Sequence, residues 1–170
     1  MHGMTTERRH PNVINQDEIE ARELAQGKFR MRGRRFGPHA GNQQLGGQLL
    51  ELAPGERAFP FHYHCANEEA IYVISGTGTI RIGDARVAVR AGDWIAHPVG
   101  PDHAHQMIND SDAPLVYLCL STQHKCEVVG YPDSKKVAMV AGPSFDDPWV
   151  RQIHRKGESL GYYDDEPDAT

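Results

Sequence analysis

From Gln44 onward the chain runs in short apolar segments, broken at even spacing by turns rich in glycine and proline. Segments of that length predict strands rather than helices, and a series of them predicts an all-β barrel or sandwich. The strands are expected near 45–53, 57–64, 69–75, 78–82, 86–90, 93–97, 104–109 and 114–122. Pro54-Gly55, Gly76 to Gly78, Gly83-Asp84 and Gly92-Asp93 supply the turn chemistry between them. Eight such strands match a jelly roll. Residues 1–42 read as an irregular N-terminal extension, residues 43–123 as the barrel, and residues 124–170 as a C-terminal extension packing on it and ending in a mobile tail. Asn15 with Glu18 resembles a capping box and predicts a short helix at 16–25. Asp147, Pro148 and Gly157 predict another at 148–156.

Within that pattern, His62, His64, Glu69 and His105 carry the chemistry. The first three lie in GERAFPFHYHCANEEAIYVISG, Gly55 to Gly76, and the fourth in GDWIAHPVGPDHAHQMIN, Gly92 to Asn109. Residues two apart on a strand share a face, so His62 and His64 present their imidazoles together. Glu69, across a turn, returns to the same place from the next strand, and His105 arrives from a distant one. Three nitrogens and one oxygen suit a single divalent transition metal: Fe, Mn, Ni, Co or Zn. If Glu69 points inward, Ile71 and Val73 do so too, giving the site an apolar floor.

The same two segments resemble the paired signature motifs of the cupin superfamily. The first has a glycine, His-x-His, four residues, Glu69, then six residues to Gly76. Its gap from Gly55 to the first histidine is one residue longer than usual. The second has Gly92, five residues, then Pro98-x-Gly100. The usual gap after that glycine selects His103, whereas the asparagine four positions after the ligand selects His105 with Asn109. His105 is taken as the ligand because a loop absorbs two extra residues more easily than a paired strand slips. His103 is its rival. Glu68 is a similar rival to Glu69, and the distance to Gly76 favours Glu69.

The resemblance implies a cupin-type double-stranded β-helix, similar to small single-domain bacterial cupins, carrying an N-terminal extension and a short C-terminal helix and tail. It also implies a homodimer formed through barrel strands and the N-terminal arm. It leaves the reaction open, since the superfamily includes dioxygenases, isomerases, decarboxylases, lyases, storage proteins and ligand-sensing domains.

Composition narrows this a little. A chain of 170 residues accommodates one domain with a core, and a net charge of -5 argues against a general nucleic-acid binder. The basic run Lys28, Arg30, Arg32, Arg34, Arg35 is balanced by Asp146, Asp147, Asp164, Asp165, Glu166 and Asp168. No apolar run approaches a membrane span. Cys65, Cys119 and Cys126 form no C-x-x-C pair, and a reducing cytoplasm is expected. Cys65 is expected to be a small buried hydrophobe facing away from His64.

Three imidazoles and a carboxylate leave a divalent ion with net charge near +1, suited to an anionic or carbonyl substrate. Two enzyme classes follow, a dioxygenase or an isomerase/lyase. A non-enzymatic module binding a sugar or carboxylate is the alternative. Non-redox chemistry needs a base near the substrate. His103 and Tyr63 are the candidate catalytic residues, with Tyr117 and His97 behind them. Gln106 and Gln48 are candidate supporting donors, and Arg57 or Arg81 candidate partners for a substrate carboxylate.

Overall fold

A computed structural model describes residues 9–157 and 159–167. Its elements are strands joined by turns, with one four-residue helix at Gly37–Ala40. In chain order the strands are β1 (Arg22–Gln26), β2 (Phe29–Arg35), β3 (Leu45–Leu52), β4 (Tyr63–His64), β5 (Glu69–Ser75), β6 (Thr77–Ile82) and β7 (Ala85–Arg90). They continue as β8 (Trp94–His97), β9 (His105–Ile108), β10 (Leu115–Thr122), β11 (Cys126–Tyr131), β12 (Lys136–Ala141) and β13 (Val150–Arg155).

The strands form a six-stranded sheet ordered β1-β2-β3-β10-β5-β8, a three-stranded sheet β7-β6-β9 and a four-stranded sheet β13-β12-β11-β4. A bridge between His62 and His105 ties the last two together. The arrangement is the expected jelly roll. Its core lies between the first two sheets, where Leu50, Leu52, Ile71, Val73, Leu115 and Tyr117 from one meet Ile80, Val89 and Met107 from the other. These are alternate residues along each strand, as a half-buried pleated sheet requires.

Four expected elements change. Residues 57–64 are not one strand: only Tyr63–His64 pairs continuously, with isolated bridges at Arg57 and His62. Pro60 lacks an N–H and interrupts any ladder there. The Asn15–Glu18 capping box forms, but it closes a single turn, Gln16–Glu18, and the chain is a strand again by Arg22. Residues 148–156 hold no helix. Val150–Arg155 is β13, paired residue for residue with β12, because the open edge of β12 offers it a full ladder and that pairing overrides the local helix signals. The N-terminal extension is likewise not irregular, since β2 pairs with β3 and continues the main sheet.

The basic run is partly neutralised: Arg35 bonds Asp146 at 2.8 Å and Arg32 approaches Glu51 at 3.9 Å. Asp168, the last of the acidic residues, lies outside the described residues. Cys65 is exposed rather than buried. Among the described residues, no helix is long and apolar enough to cross a membrane.

Candidate metal centre

The two halves of the jelly roll each contribute to one cluster. His62 and His105 face each other across their bridge, with backbone bonds of 3.2 and 2.8 Å in the two directions. Glu69 reaches them from the first residue of β5, on the opposite sheet. Ligand atoms of His62, Glu69 and His105 all lie within 4.8 Å of one another, a grouping able to hold a metal ion. On the same face of β5, Ile71 and Val73 are buried, giving the expected apolar floor. The two extra residues before His105 are absorbed by the turn Pro101–His103. Asn109, wholly buried, fixes the far end of β9 by donating to the carbonyls of Leu52 and Ala113 at 2.8 Å each.

The backbone selects the ring nitrogens. His62 Nδ1 lies 2.8 Å from the Pro60 carbonyl and His105 Nδ1 lies 3.1 Å from the His103 carbonyl. A carbonyl only accepts, so both Nδ1 atoms carry the proton and both Nε2 atoms keep the lone pair a metal requires. His105 Nε2 stands 3.1 Å from Glu69 Oε2, and His64 Nε2 stands 3.5 Å from the same oxygen. Two donors at right angles around one ion, each about 2.1 Å from it, lie about 3 Å apart. Both His64 nitrogens are buried without a hydrogen bond. Those orphaned atoms and the N/O donor set fit a borderline divalent transition ion.

Charge is tuned accordingly. Burial would raise the Glu69 carboxyl, but His105 and His64 outweigh it and hold the group far below the usual carboxylate range. Burial would lower His64, but Glu127 and Glu69 together raise it to about 9. Burial, reinforced by His105, lowers His62 to about 4. Burial drives the Cys119 thiol well up, so it stays protonated beside Glu69 Oε1, 3.9 Å away.

The other sequence candidates are spread more widely. His103 supplies its carbonyl to His105. Tyr63 alternates with His62 and His64 along the chain and its ring lies over Gly130, where an added Cβ would collide with it. Tyr117 is in the core. Gln106 donates to the Phe59 carbonyl at 2.7 Å, and Gln48 is the register partner of Cys119 across β3 and β10. Arg81 is bidentate to Asp133 at 2.7 and 3.0 Å, with its guanidinium 3.6 Å over the Phe61 ring. The Arg57 backbone bridges both Phe29 and Ile108.

His97 proves closer to the cluster than its place in the sequence suggests. It pairs with Glu69 across β5 and β8, and its ring stacks on His105 with centroids 3.6 Å apart and planes 13° apart. It is 2% exposed, and neither ring nitrogen has a hydrogen-bond partner among the described residues. Burial, helped by His105, lowers it to about 3, so it remains neutral. Tyr131, from β11, stacks on His62 at 6.2 Å, and the Lys136 ammonium stands 5.4 Å from the Tyr131 ring. Tyr131 therefore lies between His62 and Lys136 in the chain of contacts. A cleft of about 1010 Å3 beside Thr77, Val87 and Trp94 contains no histidine and lies apart from this chemistry.

Residues 48–121 match the cupin domain, and this part of the chain is a domain of the cupin superfamily. Its fold is similar to that of a provisionally assigned sugar phosphate isomerase from Acidithiobacillus ferrooxidans ATCC 23270. That likeness has a TM-score of 0.78 and 21% identity over 89% of this chain and 96% of the other. A cupin-superfamily sugar phosphate isomerase from Silicibacter pomeroyi DSS-3 aligns with a TM-score of 0.75 and 25% identity, covering 88% and 97%. An oxalate decarboxylase, assigned by prediction, from Thermotoga maritima aligns with a TM-score of 0.57 and 21% identity, covering 65% and 97%. No curated protein matches the chain.

Proposed function

We propose that this protein is a metal-dependent isomerase of a small hydroxy-carbonyl compound, with a phosphorylated sugar as its substrate class. The observation that carries the reading is the convergence of His62, Glu69 and His105 from opposite sheets, with His64 beside them. When bound there, a divalent ion would act as a Lewis acid on adjacent carbonyl and hydroxyl oxygens of the substrate.

The chain's own groups support the rest. His62 and His105 offer lone pairs already fixed by backbone carbonyls, so little reorganisation is needed on loading. His97, neutral and unpartnered, is suited to hydrogen-bond a substrate hydroxyl. Ile71 and Val73 keep water from the inner side. Lys136, over Tyr131, suits the anionic end of a substrate whose carbonyl lies at the centre. The likeness to the Silicibacter pomeroyi sugar phosphate isomerase, at 25% identity, supports this class over the dioxygenase alternative.

The test is incubation of protein loaded with Mn(II), Co(II), Fe(II), Ni(II) or Zn(II) with a panel of sugar phosphates in D2O, followed by proton NMR. Metal-dependent aldose–ketose interconversion, lost in His105→Ala, is expected. Binding without turnover would instead favour a sugar- or carboxylate-binding module. Oxygen consumption with an oxidised product would favour a dioxygenase.

A further inference from the structure

Glu127 lies on β11, beyond the residues that match the cupin domain, and is 8% exposed. Its carboxylate faces two tasks at once. Oε1 accepts from the backbone N–H groups of Cys65 at 3.0 Å and Ala66 at 3.1 Å, and Oε2 accepts from Asn67 N–H at 2.6 Å. The same Oε2 stands 3.5 Å from His64 Nδ1. The neighbouring chain is held similarly: Thr122 Oγ1 accepts from Glu68 N–H at 2.9 Å, and Asn67 Oδ1 accepts from His124 N–H at 2.7 Å.

His62 and His105 have backbone carbonyls on Nδ1; His64 has no carbonyl there and has Glu127 instead. A carboxylate on Nδ1 fixes the tautomer that leaves Nε2 free, turns the ring and raises its donor strength. We propose that Glu127 is the positioning residue for His64, so that the segment after the cupin domain completes the metal centre. The inference rests on the metal reading above. It goes beyond it by assigning a role in metal retention to a residue that donates no bond to the ion.

The alternative is that Glu127 merely anchors the 65–68 loop. A double-mutant cycle separates the two, because a residue acting through His64 has nothing to act on once that ring is gone. Cobalt(II) dissociation constants would be measured by chelator competition for wild type, Glu127→Gln, His64→Ala and the double variant, with metal-free melting temperatures as the check on folding. Glu127→Gln is expected to weaken cobalt binding by about 10–100-fold, and to add nothing in the His64→Ala background. Glu127→Asp, which keeps the charge, is expected to lose less and carries the same cycle if Glu127→Gln does not fold. An unchanged constant in Glu127→Gln, or an equal loss with and without His64, overturns the inference while leaving the metal centre standing. Wild-type protein that takes up no cobalt overturns both.

Discussion

His62 and His105 each have Nδ1 on a backbone carbonyl, and His64 Nδ1 faces the Glu127 carboxylate at 3.5 Å, so that in all three Nε2 is the nitrogen turned to the centre. That makes the roles of neighbouring histidines separable by experiment. His64→Ala or His105→Ala is expected to lower metal affinity at least tenfold, whereas His103→Ala, which retains the carbonyl used by His105, should leave it nearly intact. Plasma mass spectrometry of the purified variants checks this, and the opposite ranking would transfer the ligand role to His103. Protons report on the same residues. The unfolded chain protonates His62 and His97 from about pH 6.5 downward, while the fold keeps them neutral to about 4 and about 3. Metal-free protein should therefore lose stability as pH falls from 6.5. His64 adds no slope in that window, because the stability from its raised value is fully present below 6.5 and is lost only as pH rises through about 9. The lowered carboxyls Glu69 and Glu127 enter only below about 4.5. Melting temperatures between pH 6.5 and 4.5 are expected to fall, and to fall less in His97→Leu; a flat profile would contradict the assignment. The grouping of His62, Glu69 and His105 was legible because their spacing resembles the paired cupin motifs, in which the distances to Gly76 and Asn109 select Glu69 and His105. Glu127 and the stacking of His97 were not, since a lone acid in CEVVGY and a histidine before Pro98 have no spacing that ties them to the others.

Strands β3, β5 to β8 and β10 follow the predicted runs closely because each is bounded by turn residues whose conformations leave little choice. Gly76 is the sharpest case: its φ is +83°, and an added Cβ would run into the Pro114 carbonyl. Gly76→Ala should cost roughly 2–4 kcal/mol, combining left-handed strain with the collision, measurable by urea unfolding. The misread elements are those whose polarity hides their period. Phe29 to Arg34 alternates, with Arg30, Arg32 and Arg34 on one face and Phe29, Met31 and Gly33 on the other, yet the segment reads as a basic arm. β13 carries helix-start and helix-stop residues at its ends but takes its structure from pairing with β12, a tertiary preference that local signals do not record. The β11–β12 hairpin also brings Lys136 beside Tyr131, the ring that stacks on His62. If it holds the substrate's anionic end, Lys136→Ala should raise KM about tenfold or more for a phosphorylated substrate, with kcat little changed, and an unaltered KM would count against that role.

For the whole molecule, the outward face of the six-stranded sheet is more apolar than a solvated surface needs to be. Trp94 and Tyr72 are register partners there, 60% and 41% exposed, with Ile74 at 46% close by. A homodimer through this face and the N-terminal strands is the expected assembly. Light scattering at micromolar concentration should give twice the chain mass, and Trp94→Glu should halve it; a monomeric wild type would refute the assembly. The sheets also have edges that a dimer packed face to face leaves unpaired. β1 and β13 are outermost in their sheets and every residue in them is exposed. They carry Arg22 and Glu23 on one and Arg151 and Arg155 on the other. Charge along an open margin discourages another chain from adding itself as a further strand. Those arginines thus serve the protein's shelf life rather than its chemistry: neutralising Arg151 and Arg155 would spare metal uptake and turnover while concentrated samples drifted toward fibrous aggregates.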